Sequence, residues 1–159
     1  MNTTAPVRIL EGQAASDHTQ KVLTAYFSEL DHRIDGGFDP DLTETSSPEQ
    51  VTPPHGDFFL MTELISGEVI ACGAVHKLDD STVELRRIWV TPDHRGKGHA
   101  RTLVRSLENK VRALGAHTAV VSLNEEMTEG IAMFRKRGYE PVEPFHENTT
   151  ATVFLGRKL

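Results

Sequence analysis

At 159 residues, with a formal net charge of −6 and the apolar and charged fractions of an ordinary globular protein, the chain has the length for one domain, residues 1–159, with a core of its own. The acidic balance argues against a nucleic-acid partner. No apolar run approaches the roughly 20 residues of a membrane span, and Met1-Asn2-Thr3-Thr4 lacks the basic and apolar regions of a signal peptide, so the expected location is the cytoplasm with no membrane contact.

A lone cysteine, Cys72, excludes an internal disulfide, and its place in the apolar run from Val69 to Val75 reads as a small buried hydrophobe. Charge is unevenly placed. From Glu29 to Glu49 there are seven acidic residues against Arg33 alone, and from Arg86 to Arg112 eight basic residues against Asp93 and Glu108. The first stretch suits a cation and the second an anion.

Val7-Arg8-Ile9-Leu10 alternates as a short strand. Asp17 followed by Gln20 resembles a capping box, and Val22, Leu23, Tyr26, Phe27 and Leu30 then recur at helical spacing, which predicts a helix from about residue 17 to 31. Between His32 and Gly56 come Gly36-Gly37, Pro40, Pro48 and Pro53-Pro54, a long connection with at most a short turn opened by Ser47-Pro48. Phe58–Leu64 and Val69–His76 read as strands joined at Ser66-Gly67, and Thr82–Val90 completes an antiparallel meander.

A glycine turn follows. Ala100, Leu103, Val104, Leu107, Val111 and Leu114 then recur at intervals of three and four, while Arg101, Arg105, Glu108 and Arg112 mark the other face, and Gly115 ends the helix. Thr118–Leu123 is a buried strand that should lie parallel to Thr82–Val90. A shorter helix over Thr128–Arg137, stopped by Gly138, and strands around Tyr139–Val142 and Thr150–Leu155 complete the chain.

The glycine turn Arg95-Gly96-Lys97-Gly98-His99-Ala100 joins a strand to a helix N-terminus, where unpaired N–H groups and the helix dipole favour an anion. A Walker loop fails because Lys97 is followed by Gly98, and a dinucleotide fingerprint fails because Arg101 stands where its third glycine belongs. What remains is Arg/Gln-x-x-Gly-x-Gly/Ala, which the turn fits at every defined position.

In this turn, in the order of elements over nearly the whole chain, and in Thr128–Tyr139 with its Arg137-Gly138-Tyr139 ending, the sequence resembles the GNAT superfamily of acetyl-CoA-dependent N-acyltransferases. Gly37-Phe38-Asp39-Pro40 resembles a loop of small bacterial members. The resemblance implies an α/β (α+β) fold: a central mixed, mostly antiparallel sheet, a parallel and splayed fourth and fifth strand, and helices on both faces.

It further implies acetyl-CoA (coenzyme A) as cosubstrate. The backbone at Arg95, Gly96, Lys97, Gly98, His99, Ala100 and Arg101 would hold its pyrophosphate, Ile88, Trp89 and Val90 would pair with the pantetheine arm, Asn124 would add a polar contact, and a main-chain N–H near Ile88 would face the oxyanion.

Acetyl transfer to an amine needs a neutral amine, a stabilised oxyanion and a departing thiolate. Glu84, eleven positions before Arg95, matches the family's base carboxylate, and a salt bridge to Arg86 on the same face is the structural alternative. Phe134 stands where many relatives place a tyrosine near the thioester sulfur, and a phenyl ring donates no proton, so it reads as packing in the cofactor wall. Tyr139 is a candidate substitute acid, but the residue after that glycine is usually a core aromatic in the family, and a thiol leaves tolerably as thiolate without a dedicated acid. His94 and His99 flank the turn, but with no His-Glu-x-x-His motif or cysteine pair a metal site is not expected.

The expected activity is acetyl transfer from acetyl-CoA to a primary amine of a small molecule by direct attack in a ternary complex, and a homodimer is compatible with it. The acidic stretch is either a solvated surface loop or the mark of a cationic acceptor such as a polyamine or amino-sugar. The alternatives are a non-catalytic acyl-CoA-binding or regulatory module and an acetyltransferase of protein or peptide amines.

Overall fold

In the computed structural model, residues 5–38, 48–146 and 150–159 are described. The elements are β1 (Val7–Leu10), α1 (Asp17–Arg33), a 3-10 turn (Pro48–Val51), β2 (Gly56–Glu63), β3 (Val69–Lys77), β4 (Thr82–Val90), a second 3-10 turn (Pro92–His94), α2 (His99–Ala113), β5 (Thr118–Leu123), α3 (Thr128–Lys136), β6 (Glu140–Pro141) and β7 (Val153–Lys158). The strands form one sheet in the order β1-β2-β3-β4-β5-β7-β6. All neighbours are antiparallel except β4 and β5, which run parallel, as the resemblance implies.

Both sheet faces are covered. Val22, Leu23 and Tyr26 of α1 pack with Val51, Phe58, Leu60, Cys72 and Trp89, and the larger cluster gathers Leu103, Val104, Leu107 and Val111 of α2 with Val83, Leu85, Val121 and Phe134. Cys72 is fully buried with its thiol pushed up to about 12 by desolvation, as suits a packing residue. Helix α2 approaches β3 closely because Gly73 has no side chain: a Cβ there would stand 2.9 Å from Leu107 Cδ1.

Several boundaries depart from expectation. The cap of α1 is Ser16, whose side chain accepts from His18 N, and Asp17 is the first helical residue. Glu108, assigned by periodicity to the outer face of α2, is only 2% exposed. β7 begins three residues later than expected, because pairing with β5 sets it in register from Thr118↔Lys158 to Leu123↔Val153. Asp39 and Pro40 of the loop resemblance, and the acidic Asp41 and Glu44, lie outside the described residues. Among those described, no helix is long and apolar enough to cross a membrane.

The feature that matters for function is an irregularity in β4. Cys72 pairs with Trp89 and Ala74 with Arg86, so Arg87 and Ile88 together oppose Gly73 in a β-bulge, and Arg87 has φ 54°, rare for a residue with a side chain. Beyond the bulge β4 and β5 separate: their ladder covers only Thr82–Leu85 and Thr118–Val121. The backbone of Ile88, Trp89 and Val90 therefore faces a gap.

Candidate active site

That gap opens into a cavity of about 430 Å³ running from the glycine turn past the splayed strands to Glu84. One end is built by Arg95, Gly96, Gly98, His99, Ala100 and Arg101. Gly96 and Gly98 have φ of 77° and 81°, and Gly98 is the cap of α2 with no side-chain hydrogen bond of its own. The turn presents main-chain N–H groups at a helix start, as an anion cradle requires, and a Cβ on Gly98 would meet Arg101 Nη2 at 3.3 Å.

Lys97, by contrast, is exposed and is not part of the cavity wall. His99 is buried, and burial first, then the nearby His94 and Lys97, lower its pKa, so it is neutral at physiological pH.

The middle of the wall is Ile88, Trp89, Val90, Leu123, Met133 and Phe134. Trp89 packs against Tyr26 at a centroid distance of 5.9 Å, and the Arg95 guanidinium lies 5.9 Å over its ring. Phe134 is 2% exposed and sets its edge against Tyr139. Tyr139 itself is fully buried and donates its hydroxyl to Glu108 at 2.7 Å, away from the cavity wall. It is thereby removed as the proton donor. Asn124 lines the cavity, but its polar atoms already serve the chain: Nδ2 donates to Thr150 O at 2.8 Å and Oδ1 accepts from Glu126 N at 2.9 Å.

At the far end Glu84 is 1% exposed in the centre of the sheet. Arg86 Nε donates to its Oε1 at 2.5 Å, and His146 Nε2 is 2.7 Å from its Oε2. Arg86 Nη1 in turn donates to Gln50 Oε1 at 2.6 Å. A carboxylate so deep in the fold is costly to bury without such partners. The salt bridge to Arg86 expected as an alternative is therefore present, in a cavity-lining position that leaves a chemical role open.

His146 was not legible as a site residue, because it lies in the loop before β7, 62 positions from Glu84 in the chain. The one signal available was indirect: a glutamate on a central strand must find donors.

The acidic stretch looks different in three dimensions. Glu29 is engaged by Arg33 at 3.5 Å and Arg95 at 2.6 Å, and Asp31 accepts from Phe38 N at 3.0 Å. Glu129, across the cavity, is held by Arg33. The described carboxylates lining the cavity, Glu29, Glu84 and Glu129, are thus all paired with arginines. A separate grouping of Glu63, Glu68 and His94 brings ligand-type atoms within 4.8 Å of one another at the surface; Glu68 is exposed.

The model of the acetyltransferase (GNAT) family matches residues 22–139, most of the chain, including the bulged strand, the glycine turn and α3. The chain belongs to this family. Among solved structures, a GNAT acetyltransferase of Staphylococcus aureus superposes with a TM-score of 0.81 over 96% of this chain and 99% of its own at 12% identity.

A GNAT acetyltransferase of Elizabethkingia anophelis, with acetyl-CoA bound, gives a TM-score of 0.65 over 96% and 98% at 17% identity. In sequence, an amino-acid acetyltransferase of Pseudomonas syringae is 38% identical over 76 residues, 47% of this chain and 17% of that protein. The chain thus spans about a sixth of that relative's length.

Proposed function

We propose that this GNAT protein transfers an acetyl group from acetyl-CoA to a primary amine of a small molecule, by direct attack within a ternary complex. The observation that carries the reading is the continuity of one cavity from the glycine turn, through the backbone freed by the bulge, to the buried Glu84. The turn's open glycines and helix start suit the pyrophosphate, with main-chain groups of Arg95, Gly96, Gly98, His99, Ala100 and Arg101 as its holders, and Ile88–Val90 as the edge for the extended arm. When bound, acetyl-CoA supplies the thioester carbonyl and the thiolate leaving group.

The chain's own residues would do the rest. An alkylammonium, with a pKa of about 10, must lose a proton before its nitrogen can attack. Glu84, which lines the cavity, would accept that proton, directly or through a water. The N–H groups beside the bulge at Ile88 are the donors for the oxyanion. Phe134 leaves the thiolate without a side-chain acid at that point, which a thiol tolerates. Amino acids lead the candidate acceptors, since the P. syringae relative is named for that class.

The test is release of free thiol from acetyl-CoA against a panel of amino acids, polyamines, amino-sugars and peptide N-termini. Turnover of a small amine that falls by about 10²–10⁴ in Glu84→Gln supports both substrate class and base. Coenzyme A binding with no turnover on any amine would assign the chain to the regulatory alternative.

A further inference from the structure

If Glu84 takes the acceptor's proton, both of its oxygens already have partners: Arg86 Nε donates to Oε1, and His146 Nε2 lies 2.7 Å from Oε2. A carboxylate oxygen already engaged by a guanidinium has fewer lone pairs left for an incoming proton. The imidazole beside it has a second ring nitrogen that can take a proton. We propose that His146 is a positioning residue of the reaction, and that the proton-accepting unit is the Glu84–His146 pair rather than Glu84 alone.

Geometry supports the pairing at several points. His146 is held between Glu84, at 2.7 Å, and the Phe145 ring, at a centroid distance of 5.0 Å, and its side chain is 5% exposed. Both members of the pair line the cavity. The loop that carries His146 connects β6 to β7 and so reaches the site from the sheet edge opposite β3.

The charged and titratable groups around the pair come from three directions. Arg86 lies on the same strand, and His76 of β3 stands directly across from Glu84 in the ladder. His55, from the turn before β2, faces His76. Burial and Arg86 lower the pKa of His76, so it stays neutral and does not compete for the proton. In the proposed step one proton leaves the acceptor ammonium, its bonding pair remains on nitrogen for attack, and the proton comes to rest shared between Glu84 and His146. Protonation then belongs to the pair and not to either residue.

The inference rests on the acetyltransferase reading of Glu84, and one of its two tests needs no acceptor. Imidazole nitrogen shifts followed against pH should show His146 titrating at higher pH in the wild-type chain than in Glu84→Gln. Coincident titrations overturn the pairing whether or not any amine is turned over.

With a substrate from the amine panel, His146→Ala should lower kcat at least about tenfold, leave KM for acetyl-CoA unchanged and move the acid limb of the kcat profile. His146→Gln keeps a donor for the Glu84 carboxylate but cannot take a proton. It should recover the thermal stability of the wild type without the rate or the pH limb. Full recovery of both by glutamine would reduce His146 to filling space and overturn the proposal.

Discussion

The Glu108 carboxylate leaves the outer line of α2 and turns inward, where the Tyr139 hydroxyl donates to it at 2.7 Å, Arg157 Nη1 at 3.4 Å, and Arg137 Nη2 also donates. Burial, then the hydrogen bond to this carboxylate, raises the pKa of Tyr139, so it remains a phenol at every working pH. Removing the hydroxyl in Tyr139→Phe leaves a buried carboxylate short of one donor. It should cost about 1–3 kcal/mol in urea unfolding, with kcat on any accepted amine unchanged, because the cluster is off the cavity wall.

Periodicity assigns Glu108 to the outer face of α2, and that error has a definite source. Helical spacing assigns a face by polarity, whereas the partners that make burial affordable lie 29, 31 and 49 positions away. Glu84 escaped the error because a strand flanked by Val83 and Leu85 made its burial legible in itself. Its partner His146 sits in a loop with no periodicity to read.

Between elements, the clearest tie at the cavity is from α1 to α3: Arg33 Nη1 reaches Glu129 Oε1 at 2.5 Å, Nη2 reaches Oε2 at 3.0 Å, and Nη2 also donates to Glu126 O at 3.3 Å. The Arg33 hydrogen bond is the largest influence holding the Glu129 carboxyl well below the usual range, at about 2. A folded pKa that is depressed gives stability present above the unfolded value, about 4.3, and lost as pH falls through the folded one.

Glu129 is 61% exposed on its side chain, so screening keeps the contribution under about 1 kcal/mol. Glu129→Gln should therefore lower the melting temperature slightly at pH 7, and the gap to wild type should narrow from pH 5 and close near pH 2. A gap that held constant across that range would mean the carboxylate's charge is not what ties the helices.

At this scale hydrophobic pattern alone marks some elements: Thr82–Val90 and Thr118–Leu123 are the observed strands. It failed where a partner sets it. Gly156 looks like a strand end, yet it sits inside β7, because a Cβ there would meet Val142 Cγ1 at 2.9 Å and Val120 Cγ1 at 3.2 Å. The bulge at Arg87 carries no glycine and no sequence mark, although it opens the whole site.

For the molecule as a whole, a net charge of −6 and an anionic cosubstrate are compatible because field follows distribution rather than sum. Arg95, Lys97, Arg101 and Arg105 lie in one run around the glycine turn, while Glu29, which Arg95 also engages, is the acidic residue brought to it from α1. Coenzyme A bound at this turn alone should stabilise the folded state by RT ln(1 + [L]/Kd), about 2.7 kcal/mol at a hundredfold excess over Kd. For a domain of this size that is a rise of about 5–10 °C in melting temperature.

The surface part of the attraction is screened over roughly 10 Å at 0.1 M salt and 3 Å at 1 M, so at a fixed coenzyme A concentration the rise should shrink as salt increases. Gly98→Trp should abolish it: the residue caps α2 at φ 81°, and a Cβ there already stands 3.3 Å from Arg101 Nη2, so an indole crowds the helix start. Scanning the variant without ligand separates loss of binding from loss of fold. A folded Gly98→Trp protein that coenzyme A still stabilised by the full amount would put the cosubstrate elsewhere, and with it the link between the turn, the splayed strands and Glu84.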